Sequence, residues 1–153
     1  MPQRPQRSAS TAQRRPGRRP AQHHATGGRR ALDARWLAYL HAGGDSGDER
    51  LLADQPSFLY GRDLLHRGEY HAAHEAFEDV WRSTRYPERL LCLALAKLTA
   101  GLEHAKRGNE NGARRVLRDA AKWLRPFAPT YAGVDVGSLL TEASAGETRP
   151  SPK

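Results

Sequence analysis

The chain has 153 residues, enough for one domain with flanking segments and a real core. Its hydrophobic fraction of 38% and mean hydropathy of −0.78 are low, and no stretch approaches the ~18–20 continuous apolar residues of a membrane span. Eight of the 25 basic residues lie in residues 1–30 with no acid among them, leaving 17 bases against 17 acids beyond. The whole net charge of +8 thus belongs to the first 30 residues, and the pI near 10.2 says nothing about the rest.

Residues 1–30 form an arginine- and proline-rich arm with too few apolar groups to offset the entropy of ordering, so it is expected to be disordered. Its arginines could neutralise phosphates, which makes weak, non-specific nucleic-acid binding one expectation for it; a solubilising tail is the other main reading. Paired arginines without a following apolar segment do not form a secretory signal, and a cytoplasmic, bacterial protein is expected. No membrane partner is expected.

The domain is placed at residues 31–142, with 143–153 as a second disordered tail. Helices are predicted at 31–41, 49–66, 70–84, 87–107 and 110–124, with a short one near 135–142. Pro56 must kink the second or split it. Pro87 stands at the start of the fourth, whose Leu90, Leu91, Leu93, Ala94, Leu95, Leu98 and Leu102 make it apolar on most of its surface and hence central. Cys92 lies in that run and reads as a small buried hydrophobe. Trp81 and Trp123 read as core anchors. No segment alternates with period two. The predicted class is all-α, a compact bundle of about five helices.

Two hairpins repeat. Gly61, Gly68, Ala73 and Phe77 recur 40 residues later as Gly101, Gly108, Ala113 and Leu117, a spacing like that of tetratricopeptide units. Small residues let antiparallel helices approach, and glycine closes the turn. Two units are fewer than an open solenoid needs, which favours a closed bundle.

The most informative segment is Tyr70 to Arg82. His71, His74, Glu75 and Glu78 fall at i, i+3, i+4 and i+7, on one helical face. Imidazole and carboxylate at i, i+4 can chelate a divalent metal or act as acid and base. The candidate catalytic residues are therefore His74, Glu75 and Glu78. The candidate metal ligands are His74, Glu78, His71 and, from another helix, His104. Solvated surface pairs are the competing reading, since two ligands do not make a metal site.

These residues resemble a known family. The aromatic-then-H-E-x-x-E-x-x-W pattern at His74, Glu75, Glu78 and Trp81 is followed by a helix ending in His104 and by G-N-x-x-G-A at Gly108, Asn109, Gly112 and Ala113. Together they resemble the bacterial and archaeal domain of unknown function 309, over residues 48–125. The resemblance implies a compact helical fold and a functional His/Glu face, but no established activity. The chain departs from the pattern where relatives often carry a glutamine on the central helix; Leu93 and Lys97 stand nearby here.

Two functions remain open. The first is a non-enzymatic module binding an unknown protein partner through the His74/Glu75/Glu78 face. The alternative is a metal-dependent or acid–base enzyme, hydrolase-like, using the same residues.

Overall fold

A computed structural model describes residues 16–22 and 29–148. Among these residues there are seven α-helices: α1 (Arg29–His41), α2 (Arg50–Ala53), α3 (Pro56–His66), α4 (Tyr70–Ser83), α5 (Glu88–Lys106), α6 (Glu110–Leu124) and α7 (Val136–Thr148). The fold is all-α. Between α6 and α7 lie a 3₁₀ turn, Arg125–Phe127, and a two-stranded hairpin, β1 (Thr130–Tyr131) with β2 (Val134–Asp135). The hairpin turns through Ala132 and Gly133, both at positive φ, as a two-residue loop between twisted strands requires.

Helices α3 to α7 pack in sequence order, each against the next. Pro56 does split the second predicted helix: it lacks the N–H that an interior turn needs but fits the first turn of α3. The count rises above five for that reason and because the C-terminal helix is full length. Ala143 is fully buried, and α7 runs past the expected boundary at 142 to Thr148.

The repeat has a direct physical meaning. A Cβ at Gly61 would lie 2.9 Å from the Phe77 ring, and one at Gly101 would lie 2.7 Å from the Leu117 side chain. Each glycine therefore admits the large residue 16 positions further on, across its own hairpin. Gly68 and Gly108 sit at φ +76° and +81° and end α3 and α5, a backbone region that costs a side chain ~1–2 kcal/mol. Ala73 and Ala113 are buried at the matching place on the second helix of each pair.

Helix α5 carries the core. Leu90, Leu91, Cys92, Ala94, Leu95 and Leu98 are all fully buried, so the helix is covered on several sides at once. Burial pushes the Cys92 thiol well above its ordinary value, making it an inert packing group. Trp81 and Trp123 are only partly buried and flank the core; Trp36 of α1 is the fully buried tryptophan. It stacks on Tyr86, with ring centroids 5.4 Å apart, and the Tyr86 hydroxyl donates to the buried Asp33. In the N-terminal arm, residues 16–22 lie on this corner. Gln22 Nε2 donates to the Tyr86 carbonyl at 2.9 Å, and the Arg19 guanidinium stands 5.3 Å from the Trp36 ring. The rest of the arm, 1–15 and 23–28, lies outside the described residues.

A buried carboxylate begins α5 at the same end. Glu88, 2% exposed, accepts from the Asp48 backbone N–H at 2.6 Å and from the Tyr131 hydroxyl at 3.3 Å, tying the loop before α2 to the β-hairpin. Burial raises its proton affinity above the ordinary carboxylate range, and the hydrogen bonds offset only part of that effect.

Two predictions follow from this packing. Alanine at Gly61 or Gly101 gains up to ~1 kcal/mol of helix propensity but forces a side chain out of a filled site, at ~1–3 kcal/mol. Urea denaturation should show a net loss for each variant, and a gain would mean that the two helices have slack. For Glu88, the proton is held more tightly in the folded protein than in the unfolded one, so its contribution is fully present at acid pH and fades as pH rises through the raised value. The melting temperature of Glu88→Gln minus that of the parent should therefore increase from pH 4 to pH 8; a flat or falling difference would refute the assignment.

Candidate functional site

Helix α4 is amphipathic, and its apolar residues fix which way the rest must point. Ala73, Ala76, Phe77 and Val80 are buried against α3 and α5. The remaining positions leave His71 and Glu75 exposed, while His74 and Glu78 lie at the margin where α4 meets α5.

The two i, i+4 pairs form, but they are not equivalent. His71 Nε2 lies 3.5 Å from Glu75 Oε1, with both side chains about two-thirds exposed (68% and 69%). Solvated pairs of this kind contribute ~0–1 kcal/mol. His74 Nε2 lies at the same 3.5 Å from Glu78 Oε1, but the His74 side chain is only 29% exposed. Its other nitrogen, Nδ1, is 2.7 Å from the backbone carbonyl of Ala96 on α5. A carbonyl can only accept, so Nδ1 carries the proton, and this bond fixes both tautomer and ring orientation.

In the neutral ring, Nε2 is then a lone pair facing a carboxylate oxygen. Both are acceptors. The pair is satisfied by a proton on Nε2 or by a donor from outside placed between them.

The Ala96 carbonyl also accepts from the fully buried Thr99 hydroxyl at 2.9 Å, so the group that orients His74 is itself held. Sequence reasoning missed both. A backbone carbonyl has no residue-type signal, and Thr99 reads as one polar residue in an apolar run. Lys97 turns to Asp119 of α6 at 2.5 Å.

His104 does not join this site. It stands eight residues beyond Ala96, ~12 Å along α5. Its Nδ1 accepts from the Asn109 side-chain amide at 3.2 Å, and Asn109 Oδ1 accepts from the Gly112 N–H at 3.1 Å, capping α6. The G-N-x-x-G-A pattern is thus a turn and cap. Gly108 supplies the positive φ, Asn109 caps, and Gly112 makes room, since a Cβ there would lie 2.6 Å from the Asn109 amide. The four-residue metal set is not assembled: among the described residues, no three His, Cys, Asp or Glu side chains converge in a way that could hold an ion. The physical reason is position, since His104 lies about two turns of α5 beyond the carbonyl that holds His74.

Fold and site together define a small all-α domain of successive helical hairpins with one oriented His–Glu pair at a helix–helix margin. Residues 58–116 match the family model described as Domain of unknown function (DUF309), so this segment of the chain is similar to that family. The segment runs from Phe58 on α3 to Val116 on α6 and includes the oriented pair and the cap. No curated protein matches the chain. No helix among the described residues is long and apolar enough to cross a membrane.

The cap gives a direct test of which part of the family pattern is structural. Asn109→Ala should lose ~1 kcal/mol in denaturant unfolding. The same change should leave the His74 ring tautomer, read from its ¹⁵N shifts, unaltered; a changed tautomer would show that cap and pair form one site.

Proposed function

We propose that the domain is a non-enzymatic binding module whose α4 face takes a hydrogen-bond-donating, positively charged group of a protein partner between His74 and Glu78. One observation carries this reading. The His74 ring is fixed by the Ala96 carbonyl so that Nε2 and a Glu78 carboxylate oxygen stand 3.5 Å apart, with no further donor to either among the described residues. A guanidinium or ammonium group satisfies both at once. Glu75, one turn from His71 on the same face, adds negative charge beside the seat. With its one thiol buried in α5, the chain fits a reducing bacterial cytoplasm.

A second reading has its own support. An imidazole held by one nitrogen with the other presented beside a carboxylate is also the arrangement of a general base. In that reading His74 takes the proton, Glu78 stabilises the resulting imidazolium and Glu75 stays peripheral. A divalent metal would find His74 and Glu78 as two ligands and would need the rest from solvent or substrate.

The test is a titration of the full chain with a short arginine-containing peptide, following the His74 ring nitrogens and the backbone amides of α4 by NMR. Binding should move His74 Nε2, and Glu78→Gln should weaken it by roughly ten-fold or more, as expected for a charge-assisted hydrogen bond. Saturation that leaves His74 unmoved, or an unchanged affinity in the variant, would remove this reading. A Zn²⁺ or Mn²⁺ titration in parallel that perturbs His74 and raises the melting temperature would favour the enzyme.

A further inference from the structure

Although residues beyond 30 sum to zero charge, the fold does not distribute that charge evenly. Arg115, Arg118, Lys122 and Arg125 recur at steps of three, four and three residues, which places all four along one stripe of α6 and the 3₁₀ turn that follows it. All four are exposed, and no ion pair engages them among the described residues. With Lys97 of α5 they line a shallow groove in which Asp119, already paired with Lys97, is the sole carboxylate. The acidic side chains of α4 lie on a different helix, two places away in the packing order.

We infer that this α5–α6 groove is a second, independent site, which binds the phosphodiester backbone of a nucleic acid. Ten residues of helix place the outer two cations ~15 Å apart, with roughly one cation per turn. That linear array matches a ligand whose charge repeats every few ångströms, about 3.4 Å along one strand of a duplex, rather than a single phosphate. The groove offers Val116 as its one aliphatic lining residue and no aromatic side chain. A protein partner would need apolar or aromatic anchors that the surface does not supply.

Arg19 lies over Trp36 of α1, and α1 packs against the turn that begins with Arg125. Arg19 and the turn that begins with Arg125 thus both contact α1. Contacts between cations and phosphates fix position on the backbone and carry no sequence preference.

Fluorescence anisotropy of the full chain with labelled 15-mers, duplex DNA and single-stranded RNA, at 50 to 200 mM salt tests this. Binding to at least one should be salt-sensitive and insensitive to sequence. Arg118→Ala/Lys122→Ala should reduce the slope of log K against log salt by about 1.4 to 1.8, as expected for two lost phosphate contacts, while Arg118→Lys/Lys122→Arg should restore it. An unchanged slope in the alanine variant, with its melting temperature retained, would overturn the groove as the site, leaving any binding to the arm. Equal affinity for a poly-glutamate of the same charge, or for anionic phospholipid vesicles, would overturn nucleic acid as its ligand.

Discussion

Two glycines set how closely the helices of each hairpin approach, α3 to α4 and α5 to α6. Gly61 faces Phe77 and Gly101 faces Leu117, each at a separation that leaves no volume for even a methyl group. The two contacts put α4 and α6 at short distances from the first helix of their own hairpins, and α5 lies between them in the row. Phe77 and Leu117, both fully buried, are held in place by this repeated contact. A helix whose buried stripe is fixed has no freedom left for the opposite one.

The candidate site follows from the same packing. Once Phe77 and Val80 are buried, His74 must lie at the edge where α4 meets α5, within reach of a main-chain carbonyl. His71, one turn earlier, falls on the open side and keeps a solvated partner. Identical spacing in the sequence therefore gives one pair whose ring is held by the neighbouring helix and one that is not. The two motifs of the chain divide in the same way: H-E-x-x-E supplies the oriented pair, and G-N-x-x-G-A supplies a turn, a cap and the space for that cap.

Charge shows how a sum can hide a pattern. Equal numbers of acids and bases beyond residue 30 suggested no electrostatic preference for the domain. Helical periodicity combined with the order of packing instead separates a cationic stripe on α6 from the His/Glu face of α4. If both surfaces bind ligands, they do so without sharing residues.

The amino-acid sequence by itself determined the helical class, the central role of α5, a kink or break at Pro56 and the glycine repeat, because each depends on local spacing or on a backbone property of one residue type. It also placed His71, His74, Glu75 and Glu78 on one face, for the same reason. Tertiary structure alone decided which pair is oriented, because the deciding partner is the Ala96 carbonyl, and main-chain groups are the same at every residue. It alone separated His104 from that pair, since distance along α5 and the cap at Asn109 depend on how the helices pair. The extension of α7 past residue 142 was also invisible beforehand: Ala143 and its neighbours are small residues whose helical state depends on what they are packed against.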